Sequence, residues 1–240
     1  MNTGILYGIG VGPGDPDLIT LKAARILNTV DVVFAASSTK NAHSQAVEIA
    51  RPHLKASVPV RMIPFPMTSD KDDMASAWEK NAMEIIAALE KGLNAVFLAL
   101  GDCLTYSTFG YVLRNIQTLA PHITVFSIPG ITSYQAAASR LNTPLVEGEE
   151  SLILLSGVHG GDRFRKISGY SDNVVFLKAY KNVKDIADAL KASDMGFKSV
   201  GIVRCGLDGE QVIRDMNVFT NKKPDYWTLI ISKEDKNLVP

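Results

Sequence analysis

The sequence predicts an α/β protein of two α/β domains, with a mostly parallel first sheet and a mixed second sheet. In residues 1–141, short apolar runs alternate with segments of helical spacing, which is typical of parallel strands joined by right-handed crossovers. Residues 142–150 hold proline, glycine and three acids without periodicity, and we interpret them as a linker. In residues 151–240 the last two strand-like runs have no helix between them, which favours a mixed sheet.

The elements of the first domain follow from the spacing of its apolar residues. Buried runs predict strands at 5–11, 30–36, 58–65, 94–100 and 123–128. Helical spacing is clearest for Leu21, Ala24 and Leu27, and the longest amphipathic segment places Trp78, Ile85 and Leu89 on or near one face. The predicted helices span 20–27, 42–54, 70–91, 107–119 and 133–141.

The second domain is predicted in the same way. Its strand-like runs are 152–155, 174–177, 200–203, 211–217 and 227–231, and its helical segments are 161–167 and 183–191. No repeat of 20–50 residues and no low-complexity tract interrupts either domain.

Composition excludes several classes of function. The 240 residues include 25 Lys+Arg and 25 Asp+Glu, so the formal net charge is zero with neutral histidines. The balance holds in both parts, with 11 residues of each sign in 1–141 and 14 of each sign in 142–240. A general nucleic-acid or membrane-surface binder is therefore not indicated. No apolar run approaches the roughly 20 residues of a membrane span, and no basic leader is apparent. The two cysteines form no disulfide framework. For these reasons we expect a cytoplasmic protein.

Metal and thiol chemistry are not indicated either. The four histidines are scattered without metal-ligand spacing and the cysteines form no Cys-x-x-Cys pair, so no metal site is predicted. Cys103 lies in a predicted loop with no signature that pairs it with a base, and we expect an inert thiol.

Three loops that follow predicted strands carry glycine and small polar residues. The first, 8–15, reads GIGVGPGD; it is no dinucleotide fingerprint, because Pro13 stands where the third glycine would follow Gly10, and Asp31 precedes its strand instead of ending it. The second, 101–107, offers Asp102, and the third is 129–133. Parallel strands place such loops side by side, where α/β sheets bind ligands. The first loop alone is equally explained by a tight turn. For each of the other two, taken alone, a helix cap is the favoured explanation, and the candidate caps are Thr105, Ser107 and Ser133.

In this order and spacing, the loops resemble those of the tetrapyrrole methylases that use S-adenosylmethionine. The resemblance covers nearly the whole chain, through VGPGDPDLITLKAARILNTVDVVF, LALGDCLTYSTFGYVL, IPGITSYQAAA, NTPLVEGEESLILLSG and DYWTLIIS. FPMTSD, GDxLTYSTFGYV and PLVEGEESL are similar to the branch that methylates C20 of precorrin-2 or cobalt-factor II in cobalamin biosynthesis. One position departs from the family, which usually has proline after Gly-Asp where this chain has Cys103.

The resemblance implies a homodimer of two-domain subunits, a small-molecule tetrapyrrole substrate, and S-adenosylmethionine folded in a cleft between the domains. Carried over by position, the cofactor contacts of the first domain are Pro13, Gly101, Asp102, Thr105, Thr132 and Ser133. Weaker local similarity implies second-domain contacts at Lys178, Ala179, Val203, Arg204 and Thr228.

The implied reaction is methyl transfer to an electron-rich meso carbon held in line with the S–CH3 bond. Because that carbon must lose or relocate a proton, a modest general base would help, and the family suggests Asp15. An equal alternative is that Asp15 only caps the following helix or binds a backbone amide. Tyr106 is a lesser candidate, as a substrate contact.

The carboxylates of the tetrapyrrole call for basic residues in its site. Residues 163–184 hold six basic residues against one acid, a local charge of +5; a solvated basic face is the alternative. The candidate substrate ligands are Arg51, Arg61, Arg163 and Arg165. Other family substrates (uroporphyrinogen, diphthamide, ribosomal RNA), a nucleotide-dependent enzyme and a non-enzymatic ligand-binding module remain alternative functions.

Overall fold

The computed structural model describes residues 3–38, 44–66, 70–193, 198–216 and 224–233. The chain divides into two compact units, Met1–Thr132 and Ser133–Pro240. Each unit is built on a five-stranded sheet, and the predicted fold class is confirmed. The division falls before the predicted helix 133–141 and not after it, so this helix belongs to the second unit.

The first unit contains an all-parallel sheet in the order β3-β2-β4-β1-β5. Strand β1 therefore lies between β4 and β5, and the carboxyl ends of these three strands share one edge. The strands are β1 (Leu6–Gly10), β2 (Val32–Ser38), β3 (Val60–Phe65), β4 (Ala95–Ala99) and β5 (Val125–Ile128).

Helices cover both faces of this sheet, as buried parallel strands require. They are α1 (Leu21–Leu27), α2 (Gln45–Ala50), α3 (Lys71–Leu89) and α4 (Phe109–Leu119). Phe97 belongs to the core beneath α3 and α4, whereas Leu98, the next residue of β4, packs with α1 and α2 on the opposite face. Side-chain caps begin two of the helices: Thr20 Oγ1 accepts from the amide of Ala23, and an Asp70 oxygen accepts from two amides of the first turn of α3.

The second unit contains a mixed sheet in the order β6-β7-β10-β8-β9. Strand β6 runs parallel to β7, whereas β10 is antiparallel to both β7 and β8, and β9 is antiparallel to β8. The mixed character predicted from the missing helix is thereby confirmed. The elements are α5 (Ser133–Leu141), β6 (Leu152–Ser156), α6 (Asp162–Arg165), β7 (Asn173–Leu177), α7 (Val183–Lys191), β8 (Lys198–Val203), β9 (Gln211–Ile213) and β10 (Thr228–Lys233).

Several bounds differ from the prediction. The helix predicted at 42–54 is α2 followed by a 3-10 turn, Arg51–His53, because Pro52 has no amide to continue the α-helical ladder. The strand predicted at 211–217 ends at Ile213, and its last residue lies outside the described ranges, as do residues 42–43 and the Met-Thr-Ser of the FPMTSD motif. Strand β10 runs two residues past the predicted end, since buried Ser232 shares a hydrogen bond with Ser199 (2.9 Å).

The segment predicted as a linker, 142–150, is irregular but held to the second unit. The ammonium of Lys233 donates to the carbonyl of Pro144 (2.7 Å) and lies near the carboxylates of Glu147 and Glu150. Glu150 also accepts from the side-chain amide of Asn173 (2.9 Å). Glu147 and Glu150 therefore hold this segment in place through ion pairs and a hydrogen bond. The boundary of the linker itself stays a prediction.

Candidate functional site

The three glycine loops meet at the carboxyl edge of the first sheet. They follow β1, β4 and β5, which are neighbours in the sheet. The amide of Gly12 donates to the carbonyl of Gly101 (3.1 Å), and the amide of Gly101 donates back to Gly12 (2.8 Å). The sequence prediction that these loops lie side by side is therefore confirmed for the first unit.

Close backbone packing explains why glycine occupies two of these positions. A Cβ on Gly10 would lie 2.6 Å from the carbonyl oxygen of Gly101 and 2.7 Å from the amide nitrogen of Gly130. A Cβ on Gly130 would collide with the same Gly101 oxygen and lie 2.6 Å from the Gly10 carbonyl. Because all of these neighbours are backbone atoms, no side-chain rotation relieves the overlap.

Asp102 organises the second loop and joins it to the third. One carboxylate oxygen accepts from the amides of Leu104 (2.9 Å) and Thr105 (3.0 Å) and from the Thr105 hydroxyl (3.1 Å); the other accepts from the amide of Gly130 (3.1 Å). Burial acts to raise the pKa of Asp102, but these hydrogen bonds outweigh it and hold the pKa below its ordinary value. The carboxylate thus fixes loop shape, with most of its acceptor capacity used internally.

Cys103 is fully buried beneath the same loop. Its thiol donates to the carbonyl of Ile128 (3.3 Å), at the end of β5. Burial, and secondly the charge of Asp102, raise the pKa of this thiol to about 11, so the reactive thiolate is not populated near neutral pH. The cysteine fills the core at the position where the family usually has proline, and the inertness of its thiol stays a prediction.

Asp15 and Tyr106 lie on the exposed side of these loops. Asp15 begins a 3-10 turn, and its Oδ1 accepts from the amide of Asp17 (2.9 Å). The capping alternative therefore occurs, and it occupies one oxygen, so a second role as base stays a prediction. Tyr106 is 49% exposed and has a left-handed backbone, φ 50°, a conformation uncommon for a bulky residue.

The remaining first-loop and third-loop candidates are more enclosed. Pro13 and Gly101 are buried, Thr105 is bound to Asp102, and Thr132 is buried directly before Ser133, the first residue of α5. Ser107, named as a possible cap, does accept from the amide of Phe109 (3.2 Å).

The second-unit candidates also share one sheet edge. Val203 ends β8 and pairs with Thr228, the first residue of β10. On the other side of β10, Ile230 pairs with Phe176, so the antiparallel register brings Thr228 level with Lys178, which follows β7. Ala179 comes next and is buried. The fold thus places together the second-unit residues implied by the resemblance.

Arg204 is bound within this edge. Its Nε donates to the carbonyl of Asp208 (2.6 Å), and one terminal nitrogen lies 3.3 Å from a carboxylate oxygen of Asp225. Asp225 in turn accepts from the Trp227 amide (3.1 Å), and its carbonyl accepts from the Thr228 hydroxyl (2.6 Å). Arg204 therefore orders the loops at the ends of β8 and β10.

Three aromatic residues at this edge were missed by the sequence analysis. The rings of Tyr180 and Tyr226 are 5.0 Å apart, and Tyr226 is 5.0 Å from Trp227 in an edge-to-face arrangement. Tyr226 is 41% exposed, so its side chain is partly buried. This partial burial, and secondly the neighbouring Tyr180, raise the pKa of the Tyr226 phenol. The hydroxyl therefore stays a hydrogen-bond donor at neutral pH. Aromatic residues beside strand ends, within DYWT and KAYK, were the available signal.

Three of the four predicted substrate arginines interact with other side chains of their own unit. Arg165 binds Asp185 (2.6 Å) and Asp162 (3.0 Å), which flank the basic window on either side. From 162 to 185 the count becomes six basic against three acidic residues. Arg51 pairs with Glu48 (3.1 Å) and Arg61 lies 5.9 Å from the ring of Phe34, whereas Arg163 is exposed on α6.

Within the described ranges, no three histidine, cysteine, aspartate or glutamate side chains converge as metal ligands would. None of the helices in that part of the chain has the length and apolarity needed to cross a bilayer.

The fold and the first-unit edge define an α/β protein that presents glycine loops beyond parallel strand ends without a phosphate-binding fingerprint. The chain belongs to the family of tetrapyrrole (corrin/porphyrin) methylases, whose model matches residues 5–216. Its relatives include the cobalt-precorrin-2 C(20)-methyltransferase of Salmonella typhimurium, 30% identical over 96% of this chain and 97% of that protein. The probable cobalt-precorrin-2 C(20)-methyltransferase of Methanocaldococcus jannaschii is 32% identical over 96% of both. The precorrin-2 C(20)-methyltransferase of a Sinorhizobium species is 30% identical over 80% of both.

Solved structures share the fold at lower identity. A cobalt precorrin-4 methyltransferase superimposes with a TM-score of 0.72 at 21% identity, over 95% of this chain and 94% of the other. The uroporphyrin-III C-methyl transferase of Thermus thermophilus, complexed with S-adenosyl homocysteine, gives 0.65 at 20% identity, over 96% and 98%.

Proposed function

We propose that the protein is an S-adenosylmethionine-dependent methyltransferase that adds a methyl group to C20 of precorrin-2 or cobalt-factor II in cobalamin biosynthesis. The observation that carries the proposal is similarity over nearly the whole chain to relatives named for this C20 methylation. Because such relatives carry names with and without cobalt, the proposal covers both forms, with the metal as part of the substrate.

The first-unit edge suits S-adenosylmethionine. Glycine lets the loops after β1, β4 and β5 pack backbone to backbone. This packing holds the three loops together at the strand ends, where α/β sheets bind ligands. The residues that would hold the cofactor are Pro13, Gly101, Asp102, Thr105, Thr132 and Ser133, with Lys178, Ala179, Val203, Arg204 and Thr228 as predicted contacts of the second unit. Support also comes from the solved methyltransferase of this fold that is complexed with S-adenosyl homocysteine.

When bound, this cofactor supplies a sulfonium methyl that is already electrophilic. The task of the chain is then to orient the two reactants, because in-line placement removes most of the entropic barrier. Asp102 contributes by fixing the second and third loops through four hydrogen bonds. Asp15, exposed beside them, is the group we assign to proton removal at the methylated carbon.

Assembly and location belong to the same proposal. We infer a homodimer from the family resemblance, to be tested by analytical ultracentrifugation. A reducing cytoplasm suits the two free, buried cysteines, Cys103 and Cys205.

Calorimetry with S-adenosylhomocysteine tests the proposal first. Micromolar binding is expected, and no binding, with NAD or ATP bound instead, would overturn it. Incubation with precorrin-2 and with cobalt-factor II separately, followed by mass spectrometry and NMR, then identifies the substrate and the methylated carbon.

The Asp15→Asn variant tests the assigned base in the same assay. We expect methyl transfer to fall about tenfold or more with cofactor affinity intact. Asp17→Asn, an exposed change in the same turn, is the matched control. Unchanged turnover of Asp15→Asn would leave Asp15 with its capping role alone.

A further inference from the structure

Lys178 occupies an unusual position at the edge of the second sheet. It directly follows β7, between β6 and β10 in the sheet order. The parallel register pairs Ser156, the last residue of β6, with Leu177, and the antiparallel register brings Thr228 level with Lys178. The residue therefore lies between the end of β6 and the start of β10.

The backbone at Lys178 is left-handed, with φ 57° and ψ 39°. This conformation favours glycine, because a Cβ crowds the carbonyl there. Glycine would therefore be the less strained residue at this position. Strain of this kind is retained where the side chain has a use that glycine lacks.

The side chain of Lys178 is half-buried, and its positive charge has no acidic partner in the described ranges. Its ammonium makes no hydrogen bond or ion pair with any residue in the described ranges. Arg204, the other left-handed cation of this edge, is by contrast bound to Asp208 and Asp225. Burial lowers the pKa of Lys178, as expected for a cation that has lost water without gaining an acid.

The surroundings suit an anionic group carried by a larger flat molecule. Tyr180 and Tyr226 form an aromatic pair at the same edge, and Tyr226 contacts Trp227. Asp225, the acid that precedes β10 at this edge, already accepts from Arg204 and from the Trp227 amide. A carboxylate from outside the chain is the partner that would restore the balance of charge at Lys178.

We propose that Lys178 binds a carboxylate of a ligand, through its ammonium held on the left-handed turn between the ends of β6 and β10. The inference rests on the proposed function, which offers two sources of that carboxylate. One is the methionine part of the cofactor, and the other is an acetate or propionate arm of the tetrapyrrole.

Binding probes separate these sources without a need for turnover. Calorimetry compares S-adenosylhomocysteine with methylthioadenosine, which lacks the carboxylate. Fluorescence quenching compares uroporphyrin III with its octamethyl ester, in which every carboxylate is neutralised.

Lys178→Met removes the charge at similar volume, and Lys198→Met, on an exposed residue at the opposite end of the sheet, is its control. We expect Lys178→Met to weaken one carboxylate probe by about tenfold to a hundredfold and to leave its uncharged counterpart within about twofold. Loss confined to S-adenosylhomocysteine assigns the cofactor carboxylate, and loss confined to uroporphyrin III assigns the tetrapyrrole arm.

A second variant guards against a misfolded result. Lys178→Gly relieves the left-handed backbone, so its melting temperature should rise by about a few degrees while the same probe still loses affinity. Asn142→Gly, at another left-handed residue of this unit (φ 49°), should gain stability without any change in binding.

The proposal is overturned if both Lys178 variants bind every probe as the wild type does. Failure of the proposed function looks different, because there the wild type itself binds no S-adenosylhomocysteine. A stable Lys178→Gly protein with lost affinity cannot be attributed to unfolding, and so supports the ligand role.

Discussion

The sheet edges that carry the candidate residues, the first edge in the first unit and the second edge in the second unit, differ in the residues that form them. In the first unit the strand ends carry glycines packed backbone to backbone, and the half-buried carboxylate of Asp102 is bound to the loops themselves. In the second unit, strand ends carry Lys178 and Arg204 in the left-handed conformation that glycine favours. Side chains are thus excluded from one edge and retained against strain at the other.

This difference predicts which property a substitution changes at each edge. At the first edge the fold dictates loop shape, and any β-carbon at Gly10 or Gly130 meets backbone. At the second edge our proposal is that the side chain of Lys178 determines what is bound. Substitutions should therefore affect folding most in the first unit and binding most in the second.

The largest effect is expected for Gly130→Ala. The added Cβ overlaps Gly101 and Gly10 backbone atoms, and we expect a loss of about 2–4 kcal/mol in the free energy of unfolding of the first unit. Urea unfolding followed by tryptophan fluorescence measures it. The chain has two tryptophans, Trp78 in the first unit and Trp227 in the second, so a Trp227→Phe background reports the first unit alone.

Gly110→Ala is the control for that substitution. Gly110 lies in α4 with no atom within 4 Å of a built Cβ, so alanine should stabilise the helix by about 0.5–1 kcal/mol. If Gly130→Ala is as stable as Gly110→Ala, the backbone contact at Gly130 does not exclude a β-carbon, contrary to the argument for the first edge.

A smaller loss is expected for Asp102→Asn. Asparagine keeps only one accepting oxygen, so its NH2 group would replace the oxygen that accepts from the amide of Gly130, and we expect a loss of about 1–3 kcal/mol. Because the folded pKa of Asp102 is lowered, its contribution is present above the unfolded pKa and disappears as pH falls through the folded value. The stability difference between wild type and Asp102→Asn should therefore be constant above roughly pH 5 and narrow in acid.

Urea midpoints measured from neutral pH down into the acid range provide this test. Glu84→Gln, an exposed carboxylate on α3, is the matched control and should track the wild type throughout. A difference that stays constant or widens in acid would mean that the charge of Asp102 does not order the loops.

Much of the fold was predictable because local and tertiary signals agree. The helices Ser133–Leu141 and Val183–Lys191 have the predicted bounds, and the missing helix before the last strand correctly indicated a mixed sheet. Errors arose where a local signal was overlooked or a polar residue was buried. Pro52 ends α2 early, and the Ser199–Ser232 pair extends β10 past its last apolar residue.

The candidate site was predictable only in part. The meeting of the three glycine loops followed from strand order, but the internal binding of Asp102 and the Arg165–Asp185 pair did not. The Asp102–Gly130 hydrogen bond and the Arg165–Asp185 pair join residues 20 or more positions apart, and neither a motif nor a charge count reveals which partner a side chain takes. The aromatic residues beside the strand ends are visible in the sequence, but the pairing of Tyr180 with Tyr226 is not, for the same reason.

The smallest effect, and the sharpest for the second edge, is the order of two substitutions at Arg204. Both lose the hydrogen bond to Asp208 and the ion pair to Asp225, but only glycine also relieves the backbone, φ 56°. Arg204→Gly should therefore be more stable than Arg204→Ala by about 1 kcal/mol. Arg163 lies on the helical backbone of α6. At this position the alanine variant should be more stable than the glycine variant, because glycine is the poorer helix former. Urea unfolding followed by Trp227 fluorescence in a Trp78→Phe background decides between them. If alanine equals or exceeds glycine at position 204, the second edge carries no strain, and the contrast with the glycine-built first edge rests on side-chain chemistry alone.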